Sequence, residues 1–256
     1  MGSFKLKGFA DTEITKEEFI DYASRCLMMG IEVCEDATFK IERGFIRLDM
    51  FYVNDSKVKI PSFVDSLIGL EHSARVRRNL SITSLDLNKV NTLERDCLRH
   101  YPYIREIYAP NVVTVGAEAF RSKQIKKIEL PKVKYIGEKA FYHCIKLEKI
   151  VAPNLLVTGK EWLRECNSIN KLIIPKIEVL NYFGYFRQPV LEVELNEHFK
   201  SYKQTVVYKD IKTNRTFYFD GIEAVYDDKL KTYFHKDDNL EHEYQRDKYG
   251  LVYINI

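Results

Sequence analysis

No apolar run in this 256-residue chain approaches the roughly 18 residues of a transmembrane helix, so no helical membrane span is expected. Cysteine is scarce as well. Cys26, Cys34, Cys97, Cys144 and Cys166 form an odd, scattered set with no C-x-x-C pair. That count and spacing suit neither a disulfide framework nor a zinc site. G-x-x-x-x-G-K-[ST], G-x-G-x-x-G and G-x-S-x-G are all missing, which removes the common phosphate cradles and the nucleophile elbow. Charge of one sign is lacking too: 40 Lys+Arg against 37 Asp+Glu leaves +3, too little to mark a nucleic-acid binder. The N-terminus reads Met1-Gly2-Ser3-Phe4-Lys5-Leu6-Lys7 with no apolar signal segment behind it. These absences predict a non-enzymatic protein without cofactor or metal, placed in the cytoplasm. A signal peptide removed upstream would instead place it at the cell surface or outside.

Hydrophobic residues make up 45% of the chain and aromatics 13%, enough to build a core and to exclude wholesale disorder. The middle of the chain is organised by a repeat. The pattern apolar-x-x-apolar-x-apolar starts at Ile82, Ile104, Ile125, Leu147, Ile169 and Val190, in steps of 22, 21, 22, 22 and 21 residues. Linking residues repeat in phase: Pro110-Asn111-Val112, Pro131-Lys132-Val133, Pro153-Asn154-Leu155 and Pro175-Lys176-Ile177, with Asn88-Lys89-Val90 as a proline-free version. Leu93, Val115, Ile136, Thr158 and Leu180 follow, then Cys97-Leu98, Ala119-Phe120, Ala140-Phe141 and Trp162-Leu163. The apolar alternation predicts a strand of about three residues per repeat, and proline ends it because it has no N–H for a ladder. The Ala-Phe pair fills the interior from a short helical or irregular return segment. A single coil cannot bury its own apolar face, so successive coils must stack.

The stretch Leu130-Pro131-Lys132-Val133 through Ile136-Gly137, Ala140-Phe141, Cys144, Leu147 and Ile150 resembles the BspA-type leucine-rich repeat. The resemblance covers roughly 82–195, with a degenerate coil at 58–67 set 27 residues before the next. It implies a curved solenoid, often in surface or host-contact proteins, and no catalytic chemistry. The expected fold is an α/β repeat protein: a right-handed leucine-rich-repeat solenoid of six or seven coils over 58–195. An α+β cap over 1–57 and a small antiparallel β region over 196–256 would cover its ends. In the cap, Thr15-Lys16-Glu17-Glu18 reads as a capping box. Phe19, Ile20, Ala23, Cys26 and Leu27 form the apolar face of its helix, and Gly30 ends it. Strands follow at 39–41 and 45–53 about the turn Glu42-Arg43-Gly44. The β region is read from runs at 206–208, 216–219, 224–226, 230–234 and 251–254, with turns at 212–214 and 220–221.

Candidate chemistry is thin. Cys144 and Cys166 stand one repeat apart and could meet as a disulfide or metal pair, but small buried filler is the better reading. His143 beside Cys144 offers no orienting third group. The tract 235–243, with His235, Asp237, Asp238, Glu241, His242 and Glu243, holds metal-type donors but lacks H-E-x-x-H or EF-hand order. Charge distribution says more: 58–195 carries 22 basic and 15 acidic residues, against 8 and 11 before it and 10 and 11 after it. Basic clusters fall at 75–78, at Arg121 and Lys123, and at Lys126-Lys127.

If the repeat's apolar residues point inward, two columns line the outer strand face. One holds Ser84, Glu106, Lys127, Lys149, Lys171 and Glu192; the other holds Asp86, Tyr108, Glu129, Val151, Ile173 and Glu194. A row of lysines beside exposed Val151 and Ile173 suits a partner with acidic and apolar groups. The competing reading is that these residues simply keep a sheet soluble. The expected function is non-catalytic protein–protein recognition inside the cell, as an inhibitor or adaptor of a larger complex. Tyr108, Lys127, Glu129, Lys149, Val151, Lys171 and Ile173 are the partner-binding residues. A secreted or surface adhesin is the alternative, and a nucleic-acid binder the weaker second one. Partner identity and oligomeric state are left open.

Overall fold

The structure is a computed structural model describing residues 14–30, 33–34, 37–51, 55–69, 81–122, 124–178 and 190–194, and strand segments at 207–210, 216–218, 224–227, 232–235, 244–246 and 252–254. The capping box forms as expected and starts helix α1, Lys16–Met28. The Glu18 N–H donates to Thr15 Oγ1 at 3.2 Å, and the Thr15 N–H donates to Glu18 Oε2 at 2.7 Å. Gly30 follows in the left-handed region at φ +65. The helix buries Phe19, Tyr22, Ala23 and Cys26. Leu27, expected on that face, is 80% exposed. The buried stripe is centred between Phe19, Tyr22, Ala23 and Cys26, and Leu27 lies about 80° round the helix from Phe19.

Strands β1 (Ala37–Glu42) and β2 (Phe45–Phe51) pair antiparallel about Arg43 and Gly44, both at positive φ as a tight two-residue hairpin requires. The chain then alternates three-residue and two-residue strands. These are β3 (Lys57–Lys59), β4 (Ser66–Leu67), β5 (Ser84–Asp86), β6 (Thr92–Leu93), β7 (Glu106–Tyr108), β8 (Thr114–Val115) and β9 (Lys127–Glu129). They continue as β10 (Tyr135–Ile136), β11 (Lys149–Val151), β12 (Val157–Thr158) and β13 (Lys171–Ile173). The degenerate coil at 58–67 is therefore a true coil, since β3 pairs in parallel with β5 and β4 with β6.

The sequence pattern predicts one strand per coil, and the structure has two. The two-residue strands stack into a second parallel ladder, β4-β6-β8-β10-β12, which the β1–β2 hairpin closes at one end through β2. The return segments beyond them are turns and not helices. Four successive returns place Asp96, Glu118, Lys139 and Glu161 at positive φ, and the last two add His143 and Glu165. The result is a mostly β solenoid with α1 in its cap.

Its interior is a continuous stack. Ile128, Ile150 and Leu172 are buried one above another from the three-residue strands, Leu85 is buried on the far side of β7, and Phe120 stacks on Phe141 at 4.8 Å and 7° in the returns. Trp162 meets Phe141 edge-on at 6.2 Å. Coils approach closely enough to exclude side chains at two places in particular. A Cβ on Gly159 would lie 2.3 Å from the Glu138 nitrogen, and one on Gly137 would lie 2.7 Å from the Ala117 nitrogen. The cap is fastened by Phe19 stacking on Phe63 at 4.1 Å, by the Lys16–Asp65 ion pair, and by the Ile46 N–H donating to Asp65 Oδ2 at 2.7 Å.

The three-residue ladder has one seam. Strands β3-β5-β7 form one sheet and β9-β11-β13 belong to another, so among the described residues no ladder joins β7 to β9. The coil between them is one residue short after Phe120: five residues separate Phe120 from Ile125, against six between Phe141 and Leu147. There the Ser122 hydroxyl donates to the Ile104 carbonyl at 2.6 Å. Ile107, next to the seam, is only partly buried.

Beyond β13 the sheet continues through β14 (Val190–Glu194) and β15 (Val207–Asp210), both parallel, and ends on antiparallel β16 (Thr216–Tyr218). Strands β17 (Ala224–Asp227) and β18 (Thr232–His235) form one hairpin, β19 (Tyr244–Arg246) and β20 (Val252–Ile254) another. Strand β19 has no counterpart in the sequence reading. The expected turns at 212–214 and 220–221, the basic cluster at 75–78 and Lys123 lie outside the described residues.

Candidate partner-binding face

Strand register decides which expected residues meet. Lys149 pairs with Lys127 on one side and Lys171 on the other, and Val151 stands in register with Glu129 and Ile173. Six of the seven expected residues are thus one block on β9, β11 and β13, with Lys127 and Glu129 on its seam side. Tyr108, 64% exposed, stands across the seam on β7. Val151 and Ile173 are half-buried and not freely exposed, as are Lys149 and Lys171.

Neighbouring parallel strands lie about 4.8 Å apart. Three ammonium groups on consecutive strands therefore repel one another, and like charges directly across a sheet destabilise it. Part of the repulsion is relieved by Glu129, whose carboxylate sits 2.5 Å from Lys127 Nζ, with both side chains more than half exposed.

The return side is built the other way. Arg95 reaches Glu118 of the next coil at 3.2 Å, and Lys139 lies 3.6 Å from Glu161 of the next. Arg164 adds a 2.9 Å bond to Glu161. His143 Nδ1 and Glu165 Oε2 are 2.8 Å apart, also one coil on. Tyr142 has guanidinium groups on two sides, Arg121 at 5.2 Å and Arg164 at 5.8 Å from its ring centre. Opposite charges stack here and like charges stack on the strand face. The sequence reading missed the return-side pairs, although adding one repeat length to Lys139 or His143 lands on a glutamate.

His143 does have an orienting carboxylate, but its neighbour Cys144 is no nucleophile. None of the five cysteines forms a disulfide, and all are buried. Burial pushes the Cys144 thiol up to about 12, and it raises Cys97 and Cys166 as well. Each S–H faces a backbone carbonyl: Cys97 that of Ala119 at 4.0 Å, Cys144 that of Phe120 at 3.7 Å, Cys166 that of Phe141 at 3.0 Å. Cys144 and Cys166 are core filler. No cluster of metal-ligating residues occurs among the described residues. Of the tract 235–243, only the β18 residue His235 falls within them. Among the described residues no helix is long and apolar enough to cross a membrane.

A family model described as a BspA type leucine rich repeat region matches six copies in this chain, over residues 46–133, 77–190 and 113–227. No curated protein matches. Solved structures that resemble the chain include a Treponema pallidum leucine-rich-repeat protein, 18% identical, at a TM-score of 0.46 over 63% of this chain and 69% of that one. Another is a leucine-rich cell surface protein from Faecalibacterium prausnitzii, 12% identical, at 0.40 over 78% of this chain and 59% of that one. A third is a Bacteroides ovatus leucine-rich-repeat protein, 16% identical, at 0.28 over 69% and 70%.

Proposed function

The chain belongs to the BspA-type leucine-rich-repeat family, and from that premise we propose that it is a recognition protein that holds a protein partner on the face formed by β9, β11 and β13. Leucine-rich-repeat proteins are in general non-enzymatic interaction scaffolds. The observation that carries the reading is the in-register stack Lys127–Lys149–Lys171 beside Val151 and Ile173. A sheet that only needed solubility could alternate its charges from coil to coil, as the return side does. Lysines placed over lysines cost the free protein stability, and an acidic partner turns that cost into affinity. The half-buried Val151 and Ile173 supply apolar area at the centre of the block, and Tyr108 supplies an aromatic contact at its edge. Because the strands are fixed by the solenoid, little ordering entropy is lost on binding.

The partner recovered by affinity capture is expected to bind the K127E/K149E/K171E variant at least about tenfold more weakly than the wild type. An unchanged dissociation constant with an intact circular dichroism spectrum removes this face from consideration. An intracellular inhibitor or adaptor and a surface adhesin would both use the same face. Protease treatment of intact cells separates them: digestion of the chain supports display on the surface, protection supports a role inside.

A further inference from the structure

We infer that the element received by this face is an acidic α-helix lying along the solenoid axis. The inference rests on the binding face proposed above and concerns the shape of what fills it. The lysine column sets a ruler. Three rungs at about 4.8 Å place the outer ammonium groups about 9.6 Å apart. A helix presents one face every three to four residues, a rise of about 5.2 Å, so acidic residues at i, i+4 and i+7 span about 10.5 Å. The mismatch over the whole block is about 1 Å, which flexible lysine stems absorb. An extended peptide along the same axis repeats its side chains every 6.8 Å or so and spans about 13.5 Å. That is about 4 Å too long, nearly one full rung. An extended peptide laid parallel to the strands would meet only one lysine.

The apolar pair supports the same geometry. Val151 and Ile173 share the rungs of Lys149 and Lys171 and sit two residues further along each strand, about 6.7 Å away. An amphipathic helix carries its apolar stripe at a comparable lateral offset from a flanking acidic row. The face thus asks for acids and apolar residues on adjoining rows of one helix.

The surroundings disfavour a continuous polyanion. Glu106 occupies the lysine column's position on β7 across the seam, and Glu129 and Glu194 stand in register before and after the apolar pair. A sulfated polysaccharide or a nucleic-acid backbone running along the axis would meet Glu129 on the first lysine rung, and Glu106 or Glu194 as soon as it left the three. A helix whose negative charge is confined to about two turns would not.

The test uses the full chain and three probes: a stapled helical peptide with Glu at i, i+4 and i+7 beside a leucine row, a peptide of the same residues whose helix is broken by two D-amino acids, and heparin. Fluorescence anisotropy at physiological salt reads the affinities. The stapled helix is expected to bind at least about tenfold more tightly than the broken one, and to lose that advantage on K127E/K149E/K171E. The milder K149Q is expected to keep the fold and lose part of it, about threefold. Equal affinity for both peptides, or binding of neither, overturns the helix while leaving the face open to another protein shape. Helix-selective binding that the triple reversal does not weaken sinks the face itself. Heparin displacing the stapled helix at lower concentration, with no helix preference, overturns the inference in favour of a polyanion.

Discussion

The two long sides of this solenoid solve the same stacking problem with opposite electrostatics. On the return side several charged residues find an opposite charge one coil on, Arg95 with Glu118 and Lys139 with Glu161, and His143 hydrogen-bonds to Glu165. On the strand side Lys127, Lys149 and Lys171 repeat the same charge on three consecutive rungs. Both sides rest on one interior and one repeat length, so the contrast does not come from the fold. It teaches that one side pairs opposite charges between coils while the other gathers one sign of charge on three rungs.

The strongest way to break the comparison is to damage what both sides share. Gly159→Ala forces a methyl group to within 2.3 Å of the Glu138 nitrogen, where backbone cannot move aside as a flexible side chain would. A loss of about 3 kcal/mol is expected in urea unfolding, with partner affinity unchanged in the fraction that remains folded.

Alkaline pH probes the same interior. The buried thiols are held neutral, with Cys144 raised to about 12 against 9.0 for a free thiol. The unfolded chain therefore releases these protons first. Stability should be level with respect to them below pH 9 and fall as pH rises toward 12, by about 1.4 kcal/mol per pH unit per thiol. Cys144→Ala should remove one thiol's share of that slope; an unchanged slope between pH 9 and 10 would assign the loss to other groups.

The two sides separate under charge reversal. Glu161→Lys places a third cation between Lys139 and Arg164 and is expected to lower Tm by ~2 °C while leaving partner binding as it was. Lys149→Glu does the reverse: it turns three like charges into an alternating row and should raise Tm by ~1 °C while weakening the partner. Identical signs of the Tm change at the two sites would erase the distinction between them.

Much of the fold is legible in the sequence because burial of a repeating apolar column leaves a strict period. The six starting positions give the coils, and even the degenerate coil at 58–67 follows from Val58 and Ile60. The second ladder is less legible: a two-residue strand such as Tyr135–Ile136 is too short to show alternation, and its pairing depends on the neighbouring coil. The exposed Leu27 and the buried Tyr22 show the same difficulty in the cap, where a stripe of four residues can be drawn through more than one set. The seam after β7 coincides with a single missing residue near Ser122, which alters the period by one and resembles the ordinary 21-residue step. The lysine column was legible once strand register was assumed. The half-burial of Val151 and Ile173 was not, since it depends on how adjacent side chains cover them.

A thiol sealed in the interior and directed at a main-chain oxygen offers no thiolate to glutathione and no foothold to an oxidant. Cys97, Cys144 and Cys166 therefore keep one covalent state on either side of a cell envelope. The folded coils need no oxidoreductase to assemble and no reductant to survive, and the cysteine content of such a chain carries no information about its compartment.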